Sequence, residues 1–141
     1  MAIKAESLRL YLVTDPHLCA QLGVENTVEA AARGGVSMVQ LRDKDASTAE
    51  RAALATRLKP ICAQFKIPLV INDDVEAALQ SDVDGVHVGQ GDMAASLARE
   101  KLGKNKILGL SVETIKAAKQ TPSDIVDYVG ISPIYATPTK S

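Results

Sequence analysis

A chain of 141 residues is long enough for one domain with a real core, and with 46% apolar residues but only three Tyr, one Phe and no Trp, that core must be built from Val, Ile, Leu and Ala. A formal charge of -1 supplies no field that would hold nucleic acid or an anionic membrane, so any bound anion must meet a local cluster. No stretch approaches the roughly 20 apolar residues of a membrane span, there is no signal-peptide pattern, and Cys19 and Cys62 lack the close pairing of a metal or redox site; cytoplasm is the expected compartment.

In chain order, "LRLYLVTD" (8–15) reads as a strand and "ENTVEAAARGG" as a helix closed by Gly34 and Gly35. "VSMVQLRD" is a second strand. "STAERAALATRLKPICAQF" opens with Ser47 and Glu50 in capping-box spacing and repeats Leu54, Leu58, Ile61, Cys62 and Phe65 on one face. Pro60 is expected to bend that helix. The pattern then alternates: strand "PLVIND", helix "DVEAALQ", strand "GVHVG", helix "MAASLAREKLG", strand "ILGLS", helix "VETIKAAKQ", strand "YVGIS". Six strands and five helices are predicted.

Strict alternation of short apolar strands with helices predicts a parallel sheet covered by helices. A doubly wound sheet would concentrate functional residues at one switch point, whereas a (β/α)8 TIM barrel turns every strand end toward one mouth. Here all six strand ends carry polar residues: Asp15; Gln40, Arg42 and Lys44; Asn72 and Asp73; Gln90 and Asp92; Ser111; and the stretch from Ser132 to Lys140. That distribution favours the barrel. Residues 1–141 would then form a single incomplete domain with six of eight β/α units. The expectation is that the seventh and eighth units belong to a longer chain or come from a partner, with a homo-oligomer or swapped assembly as one way to cover the open edges.

Gln40, Arg42 and Lys44 in "VQLRDKD" alternate, so a strand and its extension would point them the same way. A guanidinium fork with an ammonium suits a diphosphate, and a solvated charge cluster fits the same residues. Asp73 and Asp92, past adjacent parallel strands, suit Mg²⁺; taken singly, Asp92 also fits an N-cap of a helix starting near Met93, and Asp73 a turn before a helix capped by Asp74. His87 reads as a hydrogen-bonded barrel residue rather than a metal ligand, and His17 is given no role. Ser111, at a strand end and a helix start, could receive phosphate or simply cap the helix. "TPTKS" lacks the Gly that a Walker loop places before its Lys, which argues against nucleotide hydrolysis.

Taken together, "LYLVTD", "VQLRDKD", "VIND", "DGVHVGQGD", "GLS" and "PIYATPTK" closely resemble the thiamine-phosphate synthase family, over the chain from the first strand to its last residue. The resemblance implies a transferase of thiamine biosynthesis. It would join 4-amino-2-methyl-5-hydroxymethylpyrimidine diphosphate to a thiazole phosphate, 4-methyl-5-(2-hydroxyethyl)thiazole phosphate, by dissociative substitution with release of pyrophosphate. Carried over by motif, Gln40, Leu41, Arg42, Asp43 and Lys44 would bind the pyrimidine diphosphate with Asn72. Asp73 and Asp92 would ligate Mg²⁺. Ser111 would touch the diphosphate, Lys140 would reach it from the sixth strand, and Thr137, Pro138 and Thr139 would begin the thiazole-phosphate site. Arg42, Lys44, Ser111 and Lys140 would carry the catalysis. The chain departs from the pattern at Ser132, Ala136 and Asp43. Both partners would be small molecules. The rival readings are a thiazole tautomerase of the same fold and a non-catalytic module that binds only the pyrimidine diphosphate.

Overall fold

Six short apolar runs become six parallel strands hydrogen-bonded in chain order, the arrangement in a computed structural model that describes residues 3–90 and 94–138. They are β1 (Tyr11–Val13), β2 (Met38–Leu41), β3 (Leu69–Asn72), β4 (Gly85–Val88), β5 (Ile107–Val112) and β6 (Tyr128–Ile131). The intervening helices are α1 (Val24–Arg33), α2 (Thr48–Gln64), α3 (Val75–Ser81), α4 (Ala95–Leu102) and α5 (Ile115–Gln120). The first strand is shorter than its apolar run predicts, because residues Ala5–Leu8 form a turn of 3-10 helix and extended pairing begins only at Tyr11.

Helix ends follow local chemistry. Ser47 and Glu50 form the complete capping box of α2, with each side chain bonded to the other's backbone N–H. Asp74 caps α3 by accepting from the Ala77 N–H at 2.9 Å. Gly35, at φ +105, closes the exit from α1 as the double glycine predicts. Helix α2 continues unbroken through Pro60.

Period-two alternation divides the sheet into two faces. Val39, Leu41, Leu69, Ile71, Val86, Val88, Leu108 and Leu110 point to the helix layer, where they pack with Val28, Ala55, Leu58, Cys62, Ala77 and Ala98. Small alanines let the helices lie close to the strands, and each fully buried Leu or Val contributes about 1.5–3 kcal/mol. The intervening residues Met38, Gln40, Val70, Asn72, His87, Ser111 and Tyr128 fall on the other face. Its apolar floor is Met38, Val70 and Ile107, with Tyr11 and Tyr128 against them.

That second face is concave. In a flat sheet β1 and β6 would stand about 24 Å apart, five strand spacings, yet the Tyr11 and Tyr128 hydroxyls meet at 2.6 Å. Sequential strand order, helices on one side and this closure make the fold a curled, six-stranded part of a TIM-type barrel, as the pattern of polar strand ends predicts.

The curl is pinned at the N-terminal ends of the strands by a recurring device. Ser37, Asp84 and Asp127 each stand one residue before an even-numbered strand and accept a backbone N–H from the preceding strand's start: Leu10 N at 2.9 Å, Leu69 N at 2.8 Å and Leu108 N at 2.8 Å. Arg99 then clamps Asp127 at 2.7 Å and holds three backbone carbonyls, those of Ile125, Gly103 and Lys106. Polar side chains at that end serve register, which leaves those at the opposite end for chemistry.

Candidate functional site

The C-terminal mouth of the curl holds a cavity of about 480 Å³ whose walls include Gln40, Arg42, Asn72, His87, Ser111 and Tyr128. Five different strands or strand ends contribute these side chains. Such convergence from separate strands is how barrel enzymes build their sites.

A continuous series of hydrogen bonds crosses the cavity floor. Gln40 Nε2 donates to the Tyr11 hydroxyl at 2.9 Å, and the Tyr11 and Tyr128 hydroxyls are 2.6 Å apart. Tyr128 lies 2.9 Å from His87 Nδ1, and His87 Nε2 lies 2.8 Å from Ser111 Oγ. Backbone space makes this possible. A methyl group on Gly109 would penetrate the Tyr128 ring and come within 2.6 Å of His87 Nδ1, so glycine there leaves the volume that the two rings occupy. Burial pushes the Tyr11 phenol up despite its bonds to Tyr128 and Gln40, and pushes Tyr128 far up with added effect from Tyr11 and Asp127, so both remain protonated at neutral pH.

Arg42 follows β2 and lines the same cavity. Its backbone N–H donates to Thr14 Oγ1 at 3.1 Å, and the Thr14 N–H donates to the Gln40 carbonyl, so a buried threonine from the end of β1 fixes where the guanidinium stem starts. Beside it, at the end of neighbouring β1, Asp15 accepts from Leu18 N and His17 N, and these bonds, that from Leu18 foremost, hold its carboxyl below the usual range.

Other residues of the predicted clamp separate in space. Leu41 is buried on the helix side, so only its backbone can face a ligand. Asp43 folds its carboxylate back onto the N–H groups of Asp45 and Ala46, each at 3.2 Å, while Arg51 Nε donates to its carbonyl. Lys44 lies in the exposed bend beyond β2, outside the cavity wall. The expectation that period two aligns Lys44 with Gln40 and Arg42 fails because β2 ends at Leu41.

Asn72 ends β3 and its Nδ2 donates to Asp73 Oδ2 at 2.9 Å. Asp73 adopts φ +62, and its N–H donates to the His87 carbonyl at 2.8 Å, which ties the turn to β4. Asp is one of the few side chains that tolerates this left-handed conformation, so the position is both a turn, as its alternative reading holds, and a carboxylate at the mouth.

Two expectations need correction. Ser111 is not a helix cap: β5 runs to Val112, and Thr114 caps α5 by accepting from Ala117 N at 3.0 Å. The cap of α4 is Ala94, without a side-chain bond, so the helix does not begin beside Asp92. Asp92, Thr139 and Lys140 lie outside the described residues. Thr137 and Pro138 are described but do not line the cavity. Among the described residues no cluster of three or more His, Cys, Asp or Glu could hold a metal ion.

Sequence reasoning missed Tyr11, Thr14 and Tyr128. The signal for the tyrosines was present: with only three in the chain, two begin the outermost strands at inward-facing positions. Their meeting depends on the degree of curl, which no local pattern specifies. His87 is the hydrogen-bonded barrel residue that its place between two valines predicts.

Comparison with known proteins agrees with this geometry. Residues 10–141 match the family model described as thiamine monophosphate synthase. The chain is 48% identical over 139 residues to a thiamine-phosphate synthase of Psychrobacter sp. and 49% identical over 140 residues to one of Xanthobacter autotrophicus, matches that cover 96% and 98% of this chain. In both cases the chain spans 65% of the relative's length. A solved structure of thiamine phosphate pyrophosphorylase from Pyrococcus furiosus superposes with a TM-score of 0.84 at 30% identity, covering 92% of this chain and 62% of that one. No helix among the described residues is long and apolar enough to cross a membrane.

Proposed function

Because the chain belongs to the thiamine monophosphate synthase family, we propose that it carries the pyrimidine-diphosphate half of a thiamine-phosphate synthase site. The reaction joins 4-amino-2-methyl-5-hydroxymethylpyrimidine diphosphate to 4-methyl-5-(2-hydroxyethyl)thiazole phosphate. The observation that carries this reading is the convergence of Gln40, Arg42, Asn72 and Ser111 on one cavity of about 480 Å³, above the hydrogen-bonded Tyr11, Tyr128 and His87. In this reading residues 1–141 form six β/α units of a (β/α)8 barrel in a cytoplasmic enzyme, and pairing between copies or a partner's strands would cover the open edges.

The bond that breaks joins the pyrimidine methylene carbon to the diphosphate oxygen, and its electron pair leaves with the diphosphate. The thiazole nitrogen then forms the new C–N bond with the methylene cation. Catalysis therefore needs groups that receive negative charge on the leaving oxygens more than it needs a base. Arg42 would grip the diphosphate with its planar fork, Asn72 and Ser111 would donate hydrogen bonds, and Lys44 and Lys140 would reach it from their segments. A donor aimed at charge that develops in the transition state contributes about 2.7–4 kcal/mol. Gln40 would hold the pyrimidine above the Tyr11 and Tyr128 rings that line the cavity beside it. Thr137, Pro138 and Thr139 would open the thiazole-phosphate site.

Mg²⁺ fits the donor chemistry of the mouth: hard carboxylate oxygens beside a diphosphate, with room for water. Asp73 would hold it, together with Asp92, and when bound it would neutralise charge on the diphosphate. The test is thiamine phosphate formation with both substrates and Mg²⁺, read by oxidation to fluorescent thiochrome. Product above the no-enzyme control, abolished in Asp73→Ala, is the expected result. Diphosphate binding without product would support a binding module instead, and full activity in Asp73→Ala would remove the metal assignment.

A further inference from the structure

The hydrogen-bond series across the cavity floor has a direction. Each phenol has one proton to give, and a neutral imidazole has one N–H and one lone pair, so a choice at one end propagates to the other. Gln40 is buried and its amide N–H donates to Tyr11. In that sense Tyr11 donates to Tyr128 across the 2.6 Å contact and Tyr128 donates to His87 Nδ1 across the 2.9 Å one, contacts whose geometry allows either sense. The ring proton of His87 must therefore sit on Nε2, which donates to Ser111 Oγ. Ser111, having accepted this bond, keeps its hydroxyl proton for the cavity.

The opposite direction breaks at Tyr11, which would accept from both Gln40 and Tyr128 and have no acceptor in the series for its own proton. It would also turn the Ser111 proton toward His87 and leave only lone pairs for the cavity. The elevated pKa values of Tyr11 and Tyr128 keep both phenols available as donors.

We infer that Gln40, Tyr11, Tyr128 and His87 form a directional relay that fixes the Nε2–H tautomer of His87 and so holds the Ser111 hydroxyl as a donor toward the leaving diphosphate. Tyr11, Tyr128 and His87 are positioning residues: they act through Ser111. The relay links the group proposed to hold the pyrimidine with one proposed to receive the leaving group. The identity of the anion rests on the proposed function; the direction of the relay does not.

Imidazole ¹⁵N spectra of the full chain decide the relay without ligand. With two histidines in the sequence, His17→Gln assigns both signal pairs. At neutral pH, His87 should show a protonated Nε2 and a pyridine-type Nδ1, and Tyr128→Phe should convert this single tautomer to a mixture. A protonated Nδ1 in the wild-type chain, alone or with Nε2, would overturn the inference. Binding of Mg²⁺-pyrophosphate gives the functional reading: Ser111→Ala should weaken it at least about ten-fold, Tyr128→Phe about three-fold or more, and the double variant no further than Ser111→Ala. Additive losses would also overturn the relay. If the wild-type chain binds no pyrophosphate, the proposed function fails and the tautomer spectrum still decides the relay.

Discussion

The hydroxyls of Tyr11 and Tyr128 lie 2.6 Å apart although the two residues begin the first and last of six sequential strands. This contact closes the curl from within. Tyr11→Phe should leave the Gln40 amide without its acceptor and remove a partner from Tyr128, at a cost of about 1–3 kcal/mol. Urea unfolding should show a lower midpoint with an unchanged slope; an equal midpoint would mean that the hydroxyl pair contributes nothing to stability.

Gly109 exists for the ring that crosses it. A Cβ there would collide with Tyr128, which sits in a tightly bounded position between Tyr11 and His87. Gly109→Ala should therefore destabilise the chain by about 1–3 kcal/mol although β5 favours a side chain over glycine. Tyr128→Phe would not relieve the clash, because the ring carbon is struck as well as the hydroxyl. In a double-mutant cycle with Tyr128→Ala, which removes the struck ring, the double variant should be less destabilised than the sum of the two single variants; simple additivity would argue against the steric clash.

Asp74 joins α2 to α3: it caps α3, accepts from Thr48 Oγ1 at 2.9 Å and pairs with Arg51 at 2.9 Å in a largely buried position. Burial raises its carboxyl pKa, but the bonds from Ala77, Arg51 and Thr48 outweigh that and leave it below the usual value. The charged form thus stabilises the fold above the unfolded-state pKa of about 3.9, and this contribution is lost as pH falls through the lower folded value. Asp74→Asn should cost about 3 kcal/mol at pH 7, with a difference from wild type that shrinks on acidification. A pH-independent difference would show that the charge itself is irrelevant.

Cys62 lies between α2 and the sheet, and burial pushes its thiol up to about 11, with Asp84 adding to the effect. It should resist alkylation by iodoacetamide at neutral pH until the chain unfolds. Rapid modification under native conditions would mean that the bottom of the sheet opens more readily than its packing implies.

Strand order, helix faces and most caps were legible because they rest on local periodicity and short-range hydrogen bonds: Ser47 with Glu50, Asp74 with Ala77, Gly35 at a helix exit. The same logic placed Gln40, Arg42, Asn72 and Ser111 at one mouth. It misplaced Lys44, because an alternating pattern continued past the point where backbone pairing stops at Leu41. It also made Ser111 a helix start, because nothing local distinguishes a serine that caps from one still paired in a strand three residues before the capping threonine. Tyr11 and Tyr128 escaped notice for a different reason: their contact spans 117 residues and depends on the curvature of the whole sheet.

In the proposed function the concave mouth binds the pyrimidine diphosphate through Arg42. Calorimetric titration of the chain with 4-amino-2-methyl-5-hydroxymethylpyrimidine diphosphate and Mg²⁺ tests it directly, with Arg42→Ala as the paired variant. Saturable binding that weakens by about ten- to a hundred-fold in the variant, the loss of a charge-assisted pair, is expected. Absence of binding in the wild-type chain, or equal affinity in both, would contradict it.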